Sequence, residues 1–459
     1  MATSISGITA VASGTSSTGL GTGIDVQQFV KLAVAGQQAN ITSLQSQQTN
    51  LNAQTSALDT ITTDLNNLSS AVFALNDPLG ALNSELSTSS NSSVVSATAS
   101  STALTGTHSV TVSALATTSS YYTDPVATAS TTLAAGSFTI QQGATGTPVK
   151  VTIDSSDNTL TGLAQAINNQ NGGVSASVIT DANGSRLALV STLTGAPGDL
   201  TVAGNTTGLT FNKAVTGSNA SLVVDGVPIS STSNTVVGAI SGVTLNLSST
   251  TPSTPTSPAT PIIISVSPDT TQATTAVNSL VSAYNKAVTD INAQFAVAAD
   301  GSGGGALEAD GSLRDAQSQL LSAISFSVPG NNGIVNLSSI GVNLQNDGTL
   351  SVDSGTLASA LSSNYGDVQN LLQNASSGFS ANLTSVLSNL VGPGNGELTL
   401  DATSIAQSST ALSSQISDLQ AALVVQEANL TTTYAQVNVT LQELPLLQSQ
   451  LSQQITSIA

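Results

Sequence analysis

Residues 412–458 read LSSQISDLQAALVVQEANLTTTYAQVNVTLQELPLLQSQLSQQITSI and carry a branched apolar side chain at every seventh position. The repeat consists of Ile416, Leu423, Leu430, Val437, Leu444, Leu451 and Ile458. Such a heptad repeat is typical of a helix that buries one face in a coiled coil. Pro445 lies inside it, and because proline removes a backbone donor we expect a kink or a break there. The stretch predicts a long C-terminal helix with an apolar stripe.

The same period occurs near the other end of the chain. The repeat there consists of Leu44, Leu51, Leu58, Leu65 and Val72, with Ile61, Leu68 and Leu75 at the complementary heptad position. Asp77-Pro78 is expected to end this helix, because a residue before proline is disfavoured in the helical region. An apolar stripe exposed to water is unfavourable by about 25 cal/mol per Å². We therefore predict that the helices bury these stripes against each other or against neighbouring subunits, and that the twelve repeat residues are oligomer or filament contact residues.

Between the two repeats the period changes from seven residues to two, which predicts β-structure. The strand predictions are Val94–Ala99, Ser109–Val112, Phe138–Ile140, Val149–Ile153, Val174–Ile179, Leu187–Val190, Leu222–Val224, Gly242–Leu247 and Ile262–Val266. A short helix is expected at Leu160–Asn168, a hairpin turn at Asp181–Gly184, and a returning helix at Thr270–Phe295. Thr250–Pro261 is expected to be an extended connection, and Asp300–Gly305 a flexible loop.

These patterns predict an α+β multidomain fold in which terminal coiled-coil helices pair into a bundle and β-rich domains are inserted in the middle of the chain. The predicted divisions are 1–40 (disordered tail and start of the terminal helix), 41–78 (first half of the helical domain), 79–135 (first part of a β-rich plate), 136–214 (an inserted module), 215–269 (second part of the plate), 270–411 (returning helical domain) and 412–459 (C-terminal coiled-coil helix).

The composition argues against several classes of function. The chain has 459 residues, no cysteine, one histidine and a net charge of -19, and its six basic residues are scattered singly. Disulfides and thiolate sites are excluded, and nucleic acid and anionic lipid are poor partners because a polyanion requires clustered cations. The first 23 residues resemble no cleavable signal peptide, and no apolar run approaches the ~20 residues that cross a bilayer. We therefore expect neither nucleic-acid binding nor membrane insertion.

Several blocks, in order along the chain, resemble the flagellar filament cap protein family, also called hook-associated protein 2. They are Gly19–Asp25 (GLGTGID), Leu222–Ile229 (LVVDGVPI), Ile240–Leu245, Leu280–Asn285 (LVSAYN), Leu337–Val342 with Asp347–Leu350, and the closing helix from Leu412. Gly136–Thr194 is similar to the insertion module shared by flagellins and hook-associated proteins. Pro445 departs from the family, whose terminal helix is usually uninterrupted.

The resemblance implies a secreted ring of subunits at the tip of the bacterial flagellum, which positions flagellin for polymerisation and prevents the loss of monomers. It also implies no catalysis and no cofactor. The implied partners are further copies of the chain, flagellin, the hook–filament junction proteins and a cytoplasmic flagellar export chaperone. A flagellin, a hook–filament junction protein or a secreted adhesin are the alternatives.

Candidate reactive sites are weak. His108 is the only histidine, so a triad or a histidine metal site would depend on one residue, and we expect a role on the sheet surface. Asp347 with Asp353, and Asp181 with Asn183, are similar to calcium loops but lack the alternating ligands and the terminal glutamate. Ordinary turns are expected at both places, and the sequence predicts no catalytic, cofactor or metal site.

Overall fold

The computed structural model describes residues 25–253, 259–297, 303–374 and 377–458. The predicted N-terminal tail lies almost wholly outside this range, as do parts of the predicted 250–261 connection and 300–305 loop. The helices are α1 (Val26–Asn76), α2 (Leu160–Asn169), α3 (Thr270–Phe295), α4 (Gly311–Ile324), α5 (Ser354–Ser363), α6 (Tyr365–Gln373), α7 (Phe379–Val391) and α8 (Glu397–Ile458). Long helices stand near both ends with strands between them, which confirms the predicted α+β fold.

The helical domain packs the C-terminal half of α1 against α3, α7 and the start of α8. Leu58, Leu65 and Val72 are completely buried there, because the apolar stripe of α1 meets the apolar stripes of its neighbours. One charge interrupts the α1 stripe: Asp64 is 7% exposed, and Lys286 of α3 donates to its carboxylate at 3.2 Å. This pair places Asp64 and Lys286 at the same level of the bundle.

The strands that precede and follow the inserted module form a two-sheet domain. Its strands are β1 (Glu85–Ser89), β2 (Val95–Ala99), β3 (Gly106–Ala114), β11 (Ala220–Val224), β12 (Val227–Ser231), β13 (Thr235–Ile240), β14 (Val243–Leu247) and β15 (Ile262–Pro268). One antiparallel sheet has the order β1-β15-β3-β11-β12, and the other has the order β13-β14-β2. Alternate side chains of the two sheets form one apolar core between them.

The inserted domain has a separate core between two further sheets and α2. Its strands are β4 (Thr118–Thr123), β5 (Gly136–Gln142), β6 (Val149–Ile153), β7 (Val174–Asp181), β8 (Gly184–Thr194), β9 (Leu200–Ala203) and β10 (Phe211–Val215). They form the sheets β10-β4-β8-β7 and β6-β5-β9. The β7–β8 hairpin pairs Asp181 with Gly184, which confirms the predicted turn.

Two predicted divisions do not follow the structure. β4 pairs with β8 and β10, so the sheet of the inserted domain begins well before residue 136. The division at 412 falls inside α8, which begins at Glu397. The polar alternation of β4 (TSSYYT) carries too little apolar signal to assign it to either core from the sequence, and only pairing with β8 places it.

A short hairpin completes the helical domain. Its strands are β16 (Val342–Leu344) and β17 (Leu350–Val352), too short for a period of two to identify them from the sequence. Asn285 of α3 holds β17 like a neighbouring strand: its amide donates to Leu350 O at 2.8 Å and its carbonyl accepts from Leu350 N at 2.6 Å. Asn292, two turns later on α3, donates to Asp347 O at 2.8 Å.

Candidate assembly surface

The N-terminal half of α1 runs antiparallel to α8. Ser409 donates to Asn52 at 2.9 Å, and the rings of Phe29 and Tyr434 lie 5.9 Å apart. A small core of Val34, Ile41, Ile416 and Leu423 lies between the two helices, with Leu44, Leu412, Leu419 and Leu430 packed against it. The predicted pairing of the terminal helices therefore exists within one chain.

The twelve predicted contact residues fall into three environments. Leu58, Leu65 and Val72 lie in the main core of the helical domain, so they have no surface for a partner molecule, and this part of the prediction needs correction. The residues of the α1–α8 seam are buried or partly buried; these are Leu44, Ile416, Leu423 and Leu430, with Leu51 also partly buried. Val437, Leu444 and Leu451 are exposed, and the side chain of Ile458 lies outside the described residues.

The last part of α8 extends beyond its partner helix. Because Phe29 lies opposite Tyr434 and α1 begins at Val26, α8 passes the start of α1 near residue 438. Residues 438–458, named here the α8 extension, continue for about 30 Å at 1.5 Å per residue. Every described side chain from Val439 onward is exposed.

The α8 extension carries an exposed apolar stripe and little charge. Leu444, Leu446, Leu447, Leu451 and Ile455 are each 50–65% exposed. Glu443 is its one charged residue, and α8 as a whole contains no lysine, arginine or histidine. Among the described residues no other helix covers this stripe, and an exposed apolar stripe of this kind is typical of an interaction surface.

Pro445 does not break the terminal helix. α8 is one helix from Glu397 to Ile458 with Pro445 inside it, so of the predicted kink or break, the break does not occur. Proline at this position removes one N–H, the one that would donate to Leu441 O four residues earlier, while the ladder on either side is retained. The cost falls on the α8 extension, where no packing against α1 compensates for it.

The reactive-site candidates have ordinary structural roles. His108 Nδ1 lies 2.7 Å from Asp225 Oδ2, on the surface where β3 meets the β11–β12 turn. The hydroxyl and N–H of Thr349 donate to Asp347 and hold the pKa of that carboxyl below its usual value, as the N–H of Thr356 does for Asp353 at the start of α5. In the described ranges no three metal-ligating side chains lie together. None of the helices described has the length and apolar content to span a bilayer.

Sequence reasoning misses half of the α1–α8 seam. Val30, Val34 and Ile41 are 7%, 4% and 2% exposed, whereas the predicted α1 repeat begins only at Leu44. Val30, Val34 and Ile41 are spaced by four and then seven residues, which places them on one face of a helix. This spacing is a signal in the sequence that could have identified them as seam residues. Phe29 and Tyr434 are the two aromatic residues that could have aligned the helices.

Comparison with known families shows what these elements belong to. The model for the flagellar hook-associated protein 2 N-terminus matches residues 22–119, and the model for its C-terminus matches residues 217–445. The chain belongs to the flagellar hook-associated protein 2 family. A third model, the flagellin hook IN motif, matches residues 137–193, within the inserted domain. The two family models cover the two-sheet domain and much of the helical domain, in the order that the sequence blocks predicted.

Relatives in the hook-associated protein 2 family agree with this assignment. The chain is similar to the B-type flagellar hook-associated protein 2 of Pseudomonas aeruginosa, at 33% identity over 60% of this chain and 63% of that protein. It is 29% identical to the hook-associated protein 2 of Escherichia coli K12 over 75% of this chain and 77% of that protein. The matched stretch covers less than two thirds of the Pseudomonas aeruginosa relative, and it covers 27% of the hook-associated protein 2 of Helicobacter pylori.

A solved structure shares the fold. The crystal structure of the flagellar cap protein FliD D1-D2-D3 domains from Escherichia coli superposes with a TM-score of 0.58 at 27% identity, over 76% of this chain and 99% of that one. An experimental structure from this family therefore has a fold similar to that of the helical, two-sheet and inserted domains described above.

Proposed function

We propose that the chain is a structural subunit of the flagellar filament cap: it assembles with copies of itself at the distal tip, promotes ordered flagellin polymerisation and prevents the loss of flagellin monomers. The observation that carries the proposal is the exposed apolar stripe of the α8 extension, which has a single charged residue, on a member of the hook-associated protein 2 family. The relative from Escherichia coli is described as a flagellar cap protein. The chain acts by positioning its partners and forms no covalent bonds with them.

The proposed contact residues are the exposed members of the C-terminal repeat. Val437, Leu444 and Leu451 continue the stripe that Ile416 and Leu423 bury against α1, so a partner helix can continue the seam beyond the point where α1 begins. Further copies of the chain, flagellin and the hook–filament junction proteins are the proposed extracellular partners. A cytoplasmic export chaperone is proposed to cover the same stripe before secretion, because an exposed apolar helix favours aggregation.

A complementation experiment tests this proposal. A strain that lacks the gene is expected to be non-motile and to release flagellin into the medium, and the wild-type chain is expected to restore filaments. Changing Val437, Leu444 and Leu451 together to serine is expected to abolish the rescue. The matched control changes Val424, Val425 and Val439 to serine; these are 57–64% exposed and lie outside the heptad position.

The outcomes separate the candidates. Full-length filaments in the strain without the gene would contradict a capping function. A motile strain that has lost only attachment to surfaces would favour the adhesin alternative, for which no observation on the structure argues. A flagellin or junction role is disfavoured because both family models that flank the inserted domain describe hook-associated protein 2.

A further inference from the structure

Two segments of the chain join the two-sheet domain to the helical domain. Residues 77–84, named here the 77–84 connection, lead from α1 into β1, and β15 passes into α3 through the single residue Asp269. Among the described elements, no strand of the two-sheet domain packs extensively against a helix of the helical domain. Domains without a large shared interface are expected to move relative to each other. The orientation of these two domains therefore depends on what holds the two joining segments.

The 77–84 connection is folded onto the helical domain. The N–H of Gly80 donates to Asp77 O at 2.9 Å, which closes a tight turn directly after α1. Leu82 is 1% exposed and lies in the core of the helical domain. The N–H of Asp269 donates to Ser84 O at 2.8 Å, so the two joining segments are also bonded to each other.

One face of α6 holds the connection through three polar side chains. Tyr365, Gln369 and Gln373 are spaced by four residues, which places them on the same face of the helix. The hydroxyl of Tyr365 and the amide of Gln369 donate to Leu82 O at 3.2 and 3.1 Å. The amide of Gln373 donates to Leu75 O at 2.6 Å. These three side chains are named here the α6 clamp.

Asn83 joins the α6 clamp from the side of the connection. Gln369 donates to Asn83 Oδ1 at 2.7 Å, and Asn83 Nδ2 donates to Gln373 Oε1 at 3.3 Å and to Asp77 O at 3.0 Å. Burial raises the pKa of Tyr365 to about 12, so its hydroxyl remains protonated and can donate. The network contains no ionised donor, and its donors and acceptors are therefore independent of pH near neutrality.

The helix that carries the clamp is itself fixed. Val368, Leu371 and Leu372, on the other side of α6, are completely buried in the core of the helical domain. Leu75 O is one of the last carbonyls of α1, which have no partner within the helix, so one side chain is enough to satisfy it. The further bonds to Leu82 O and Asn83, beyond the end of α1, hold the connection itself.

We propose that the α6 clamp fixes the 77–84 connection and thereby sets the orientation of the two-sheet domain relative to the helical domain. Without the clamp, the two joining segments form a hinge, since hinges consist of a few residues at the ends of elements. With it, a displacement of the helical domain moves the β-rich domains as well. The inference goes beyond the proposed function, because it holds whatever partner the chain binds.

Spin labels test the proposal, because the chain has no native cysteine. Ser359 on α5 and Ser241 in the β13–β14 turn are exposed and lie in the two different domains. The full chain with Ser359→Cys and Ser241→Cys is spin-labelled and diluted in an excess of unlabelled chain, so that double electron–electron resonance measures distances within one molecule. One narrow distance distribution is expected.

Removing the clamp in the labelled chain is expected to broaden this distribution. Gln369→Ala with Gln373→Ala should favour the free joint about fivefold for each hydrogen bond lost. Tyr365→Phe keeps the ring and removes one hydrogen bond, so it should broaden the distribution less. The matched control is Asn370→Ala, which removes an amide of the same helix that donates to Asn331 Oδ1 at 2.8 Å and not to the connection. It should leave the distribution narrow.

Three results would overturn the clamp. They are a broad distribution in the wild-type chain, an unchanged distribution in the double alanine variant, and equal broadening by Asn370→Ala, which would trace the effect to the stability of α6. Amide hydrogen exchange of α6 checks that the helix remains folded in each variant, and Tyr365→Phe decides the case if the double variant does not fold. None of these results bears on the capping function, which the complementation experiment tests separately.

Discussion

Leu423 and Leu444 occupy the same heptad position of α8, yet truncating them should have opposite consequences. Leu423 is 6% exposed and packs in the α1–α8 seam, whereas Leu444 is 50% exposed on the α8 extension. Buried leucine-to-alanine changes cost about 2–5 kcal/mol. Because only two helices surround Leu423, we expect Leu423→Ala to destabilise the seam by about 2–3 kcal/mol, at the low end of that range.

Leu444→Ala should leave the folded monomer almost unchanged, within about 0.5 kcal/mol, as for other exposed positions. In the assembly, the remaining half of this side chain becomes buried, which is worth about 1 kcal/mol and corresponds to about a fivefold change in the association constant. Leu423→Ala thus tests the fold, and Leu444→Ala tests the contact surface.

Hydrogen exchange of α1 and α8 amides measures the first effect, and sedimentation velocity across a concentration series measures the second. In Leu423→Ala we expect faster hydrogen exchange of the α1 amides around Ile41 and of the α8 amides around Ile416. In Leu444→Ala we expect weaker association without faster amide exchange. Equal loss of protection in both variants would show that the α8 extension folds back on its own chain. Full protection in Leu423→Ala would show that the α1–α8 seam does not form.

Three further predictions concern stability. Burial, with the nearby Asp310 carboxyl, raises the pKa of Asp401 from 3.8 to about 6. The protonated carboxyl is therefore favoured in the folded state, and its contribution to stability is complete below about pH 4 and lost as the pH rises through 6. Asp401→Asn should add on the order of 1–2 kcal/mol to the unfolding free energy at pH 8 and almost nothing at pH 4. Equal gains at the two pH values in urea titrations would contradict this. Asn285→Ala removes both hydrogen bonds to Leu350 and should lower the unfolding free energy by about 1–3 kcal/mol, with loss of β16–β17 amide protection; a fully protected hairpin would refute the clamp. Pro445→Ala restores an N–H for Leu441 O and removes a cost of about 3 kcal/mol, so amides after 445 should exchange more slowly and circular dichroism at 222 nm should show more helix; unchanged spectra would mean that proline imposes no cost there.

Local patterns in the sequence are sufficient for much of the fold. α3 lies at Thr270–Phe295 as predicted, and β6 at Val149–Ile153, because their periods and end signals are contained in the segments themselves. The Asp181–Gly184 hairpin follows equally from local turn chemistry. The order of recognisable blocks along the chain also indicates the family, because each block is a local run of residues whose identity does not depend on packing.

What each heptad residue contacts was decided only by the tertiary structure. Leu65 and Leu444 have the same residue type and the same kind of repeat, yet one is completely buried and the other half exposed. The difference arises because α1 begins at Val26, opposite a point about two-thirds of the way along α8, and the periodicity of neither helix determines how long it is relative to its partner. The contact between Asn285 and Leu350 has the same origin, since the two residues are 65 positions apart in the sequence. A heptad repeat determines that a face needs burial; which molecule buries it depends on where the other helices end.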